Sequence, residues 1–178
     1  MEIDLRDNPW EHGIPIDSIT ISKDIYYLLC FFTASKNLSK KRKKDAEDSE
    51  SVYGYSIRSF ELTEIGNIVI SISSILRNQF EINPSIINDR LKMYGFDLSV
   101  GVLIEDLNHP DKTKVLHLKE SWNKILHCNT MNCDRSKGTS IYSGHLNPII
   151  HFYGELRGKK WKATINIFNW CEAIHVLI

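Results

Sequence analysis

Apolar residues crowd every face of the stretch from Ile25 to Phe32, and Ser22 ahead of them is a good N-cap, so the pattern predicts a helix to about Lys36 that is buried on most sides. The chain then turns polar. KNLSKKRKKDAEDSES has no aliphatic residue larger than Ala46 between Leu38 and Val52, which predicts a mobile charged loop at about 37–52. From Ser59 to Phe80, Leu62, Ile65, Val69, Ile72, Leu76 and Phe80 recur at spacings of three and four, the signature of a second helix. Asn83 and Pro84 open a short third helix that Gly95 ends. Weaker helical spacing covers Leu98 to Leu107, before the turn at Asn108 to Asp111.

The period is helical again from Lys114 to Cys128, where Val115, Leu118, Trp122, Ile125 and Leu126 form one stripe. NTMNCDRSKGTSIYSGHLNP reads as a polar loop. IIHFYGEL and WKATINI, joined at Arg157 to Lys160, are rich in β-branched and aromatic residues and predict a β-hairpin. Asn169 and Glu172 can cap a last short helix with Trp170, Ile174 and Leu177. The expectation is an α+β fold, mainly helical, in one domain over 1–178. An antiparallel helical core is covered on one side by the C-terminal hairpin, followed by the short final helix.

Composition narrows the function classes. At 178 residues with 42% apolar content, the chain can build one core and is not a disordered or collagenous sequence. Twenty-two Lys and Arg balance 22 Asp and Glu, so the overall charge of a dedicated nucleic-acid binder is missing. The balance is uneven, however: Asp111 to Lys162 carries ten basic against four acidic side chains. No apolar run approaches the roughly 20 residues of a membrane span. The N-terminal MEIDLRDNPWEHG has no apolar signal core, and the four cysteines form no CxxC pair, so free thiols in the cytoplasm are expected.

Chemistry concentrates in LKESWNKILHC, Leu118 to Cys128. Asn123 and His127 are four residues apart and share one helical strip at the border of the apolar stripe, with Glu120 beside them. The plainest use of such a pair is to hydrogen-bond the neighbouring loop. Asn-Lys-apolar-apolar-His on a helix also resembles the last long helix of the HEPN superfamily, small helical domains of prokaryotic toxins, abortive-infection systems and CRISPR-linked ribonucleases. That family's motif is an Arg, a polar residue, then a His four to six residues after the Arg. Asn123 matches the polar residue, His127 matches the His, and Trp122 stands in the place of the Arg.

The resemblance implies a defence- or toxin-type protein, a possible homodimer or partner of another protein, that engages RNA without a metal or cofactor. If it cleaves RNA, His127 is the acid or base, Asn123 the orienting group, and a cation from a loop or a second protomer serves the phosphate. Arg77-Asn78 copies the first half of the motif with no His following, and Arg6 to His12 copies its spacing across Pro9. Lys119, Lys124, Arg135 and Lys137 are the candidate RNA-binding cations, with Trp161 and Tyr153 able to stack on bases if exposed. The rival reading is a non-catalytic interaction or immunity module that makes its contacts with the hairpin and the Trp-rich end.

A zinc site would recruit His127, Cys128, Cys133 and His145 or His151, but the cysteines lack the tight pairing such sites use. Cys30 and Cys171, set among apolar residues, read as core thiols. GxSxG, Walker A and GxGxxG sequences are absent.

Overall fold

Asp17 starts the first helix, its carboxylate accepting the Thr20 N–H at 2.9 Å. Hydrogen bonding from the Thr20 hydroxyl, with this N–H bond beside it, holds its carboxyl below the usual aspartate value. The computed structural model describes residues 17–44, 60–82, 84–93, 98–136 and 144–178. Helix α1 spans Ser18–Lys44, so it begins before Ser22 and runs through half of the expected charged loop. Lysine and arginine are good helix formers, and Ser39 is buried on the inner side of this extension, one turn after the buried Ser35. The Ser35 hydroxyl accepts the Leu146 N–H at 2.9 Å and ties the helix to the sheet. Residues 45–52 of that expected loop lie outside the described residues.

Only one stripe of α1 is buried, through Ile21, Leu28 and Phe32. Tyr26 is 63% exposed and Ile19 82%, which corrects the expectation of a helix enclosed on most sides. Helix α2, Leu62–Ile82, buries Ile65, Val69, Ile72 and Leu76 as its spacing predicts, and Ile68 beside them, while Leu62 at its start is exposed and Phe80 is partly buried. Helix α3 is Pro84–Met93.

From here the chain is richer in strand than its pattern suggests. Ser99–Ile104 is strand β1, not a weak helix, and Thr113–His117 is strand β2, not the start of the motif helix. The motif helix α4 is therefore short, Leu118–Leu126. The stretch read as a polar loop contains strand β3, Thr130–Arg135. Strands β4, Leu146–Leu156, and β5, Lys159–Asn166, follow. Helix α5, Ile167–His175, is capped by Asn166, whose side-chain oxygen accepts the Phe168 N–H at 3.0 Å, rather than by Asn169.

The five strands form one antiparallel sheet in the order β2-β1-β5-β4-β3. The architecture is α+β. The β4–β5 hairpin supplies two inner strands of this sheet instead of a cover on a helical core. Alternation places Ile150 and Ile165, Phe152 and Ala163, and Gly154 and Trp161 opposite each other on the face that meets the helices. Gly154 is required there, because a β-carbon would stand 2.2 Å from the Trp161 ring and 3.0 Å from the His127 carbonyl oxygen. The opposite face carries Val102 and Val115, both substantially exposed, with His151, Tyr153, Lys162 and Thr164. Among the described residues, no helix is long and apolar enough to cross a membrane.

Candidate functional site

Helices α2 and α4 pack against each other with Phe80 and Trp122 edge to face, ring centres 6.4 Å apart. Trp122 is buried in this seam, so the strip on its flank, Lys119, Asn123 and His127, faces outward and all three are exposed. At 1.5 Å per residue the strip is about 12 Å long. His127 sits at the C-cap with φ −112° and ψ 14°, its N–H donating to the Asn123 carbonyl at 3.1 Å. Two residues on, the Asn129 N–H donates to the Tyr153 carbonyl at 2.7 Å and fixes the helix end to β4.

Across the seam, α2 places Arg77 against this strip. Arg77 Nη1 lies 3.1 Å from His127 Nε2. A guanidinium can only donate, so Nε2 is the acceptor and the proton of the neutral imidazole is on Nδ1. Glu81, one turn beyond Arg77, accepts from its Nε at 3.0 Å and fixes the guanidinium plane. Lys119 Nζ lies 3.5 Å over the Phe80 ring between the two helices. An exposed imidazole whose acceptor nitrogen meets an oriented guanidinium thus shares one surface with the Lys119 ammonium.

The other candidate residues are distributed differently. Lys124 points to the far side of α4, its Nζ 4.7 Å over the Trp161 ring. Trp161 is 3% exposed, so it cannot stack on bases. Folding over Gly154 is what buries it. Arg135 does not reach toward His127. It forms an ion pair with the buried carboxylate of Glu61 and donates to the Gly144 carbonyl at 3.3 Å. Lys137 lies outside the described residues. Tyr153 is half-buried on the open sheet face, with Lys162 Nζ 5.6 Å from its ring.

Because Glu61 and Arg135 are both largely withdrawn from water, removing one strands the other's charge. Arg135→Ala is expected to cost about 3 kcal/mol in denaturant unfolding, and the double change Arg135→Met with Glu61→Leu to recover most of it.

Among the described residues, no group of three His, Cys, Asp or Glu could hold a metal ion. Cys133 and Cys171 are thiols that burial pushes up to about 12, which suits core residues rather than nucleophiles. Cys30 is exposed, contrary to its apolar setting in the sequence. Sequence reasoning set Arg77 aside because no His follows it locally. The signal that could have found it is position: it extends the Phe80 face of an amphipathic helix by one turn. No family model, curated protein or solved structure matches the chain.

Proposed function

We propose that this is a HEPN-like protein of defence or toxin type, and that the Arg77–His127 pair cleaves RNA without a metal. The observation that carries the reading is the 3.1 Å approach of the guanidinium to the imidazole on an exposed surface. It supplies from α2 the cation whose place in the motif Trp122 occupies. The resemblance rests on the helical part of the chain and the Asn-His strip, and the sheet lies outside it.

In this reading a backbone phosphate draws the Arg77 guanidinium from Nε2, and Arg77 with Lys119 holds the phosphate oxygens. His127 Nε2 takes the proton of the neighbouring 2′-hydroxyl. The 2′ oxygen bonds to phosphorus as the bond to the 5′ oxygen breaks, and the proton passes from the imidazole to that leaving oxygen. The products are a 2′,3′-cyclic phosphate and a 5′-hydroxyl. In this reading Asn123, exposed one turn before His127, would orient the ribose.

The test is cleavage of a single-stranded RNA by the purified protein in EDTA, with the new ends mapped chemically. Cyclic phosphate ends, and no cleavage of the 2′-O-methyl analogue, support the reading. Inactive folded protein, or equal cleavage of the analogue, overturns it.

A second reading, a non-catalytic interaction or immunity module, is favoured by one observation. Ile19, Tyr26 and Tyr27 of α1 are large apolar or aromatic side chains left open to solvent. Such a patch suits a second copy of the chain or another protein.

A further inference from the structure

On the far side of α4 from Arg77, the β1–β2 connection and the β4–β5 turn enclose a groove of about 680 Å³. Its rim carries Lys112, Lys114, Lys124, Arg157 and Lys159 against the carboxylates of Glu105 and Asp106. Both carboxylates are engaged within the protein. Glu105 binds Lys114 at 2.7 Å, and Asp106 accepts the Asn108 N–H at 3.0 Å with Lys159 at 3.8 Å. The Asn108 bond to Asp106 and the Lys114 bond to Glu105 hold both carboxyls below their usual range. Among the described residues, Lys112 and Arg157 have no ion-pair partner, and Lys124 rests on Trp161. Three cations therefore face the groove without a carboxylate of their own.

The walls are built rather than loose. The Leu107 N–H donates to the Lys160 carbonyl at 2.8 Å, and the Lys112 N–H to the His109 carbonyl at 3.1 Å. Opposite them, Arg157 has φ +51° and Gly158 φ +78°, the two positive angles of a type I′ hairpin turn. Asn-Gly or Gly-Gly meets that requirement at least cost. Arginine does not, and Arg157 is the one described non-glycine residue with positive φ. A strained backbone holding an unpaired cation at a groove rim points to use of that cation.

The groove adjoins the proposed site. Lys124 lies one turn before His127 on α4, and the Trp161 ring beneath it and the His127 carbonyl both lie beside Gly154. We infer that this groove binds the phosphate backbone of single-stranded RNA beside the cleavage position, with Lys112, Lys124 and Arg157 each serving one phosphate. The occupant rests on the RNA reading above, while the charge and shape of the groove do not.

The experiment uses a fluorescein-labelled 12-nucleotide 2′-O-methyl oligouridylate, which binds without being cut, and follows anisotropy from 50 to 200 mM KCl. Lys112→Gln with Arg157→Asn is expected to weaken binding about tenfold at 50 mM, and to lower the slope of log affinity on log salt by about 1.4, for two phosphates lost. Arg157→Asn alone, which creates an Asn-Gly turn, is expected to raise Tm by about 2 °C while weakening binding. Gain of stability with loss of affinity separates use of the cation from damage to the fold. An unchanged slope in the double variant, or displacement of the oligonucleotide by polyglutamate at equal charge concentration, overturns the inference; the second result would assign an acidic protein. Groove-dependent binding by a protein that cuts no RNA leaves this inference standing and removes the catalytic reading. Cleavage with a slope indifferent to the groove does the reverse.

Discussion

His127→Ala is expected to lower metal-free RNA cleavage by a factor of about 10² to 10⁴, the range that a positioned acid–base group contributes. The side chain is exposed at a helix end and its polar contact is with Arg77, so the fold should survive, with stability changed by about 0.5 kcal/mol. Arg77→Gln should cost about 10² to 10³, because it keeps a donor but loses the charge facing the phosphate. Arg77→Lys should recover part of this. A lysine is a point charge and cannot hold both Glu81 and the phosphate in one plane. The decisive value is the double variant. If both residues act on one transition state, His127→Ala with Arg77→Gln falls little below His127→Ala alone. Independent, multiplying losses would mean that the 3.1 Å contact is a surface hydrogen bond and that the two side chains serve different steps. Unchanged binding of the uncleavable oligonucleotide by His127→Ala shows that the loss lies in chemistry.

How far the sequence carried this picture depends on which signals were local. The α2 stripe was legible because its inner residues are mostly apolar, with Ser73 and Gln79 as the buried polar exceptions, and the β4–β5 hairpin because dense β-branched and aromatic runs flank a short turn. Strand β1 was not, since VGVLI is an unbroken apolar run and period cannot separate a buried strand from a short helix. At β2, Val115 and Leu118 are three apart and mimic a helical stripe. The structure buries Leu116 instead and leaves Val115 51% exposed, as alternation along a strand requires. Strand β3 hides its alternation in Met131, Cys133 and Arg135, residue types that do not advertise a strand. The end of α1 is hidden by its run of like charge, although lysine and arginine are good helix formers.

The site divides in the same way. Asn123 and His127 were legible as one helical strip, since the relation is four residues long. Arg77 stands fifty residues from His127, and it is the packing of the two helices, with Phe80 against Trp122, that brings them together. Arg135 looked available because Glu61 is far away in sequence. Trp161 looked like a stacking platform because nothing local says that a glycine opposite will receive its ring.

Placing the HEPN motif's arginine at position 122 gives the sharpest test of where the proposed cation belongs. Trp122 is 2% exposed and wedged against Phe80, and its Nε1 has no acceptor among the described residues. A guanidinium there would meet the same absence of acceptors with a full charge and five donors, besides losing the apolar burial of the indole. Trp122→Arg is therefore expected to cost about 4 kcal/mol or more, lowering Tm by roughly 10 °C, and to leave cleavage no faster per folded molecule. Trp122→Phe supplies the contrast. It keeps an aromatic ring against Phe80 and removes the orphaned N–H, so the small cavity it opens is partly offset and the change should stay within about 1.5 kcal/mol. A folded Trp122→Arg protein that cleaves RNA faster, and no longer depends on Arg77, would place the motif cation on α4 and reduce Arg77 to a surface partner of His127. Loss of stability without gain of activity is the outcome the seam dictates, because in this fold the position belongs to the core and the neighbouring helix carries the charge.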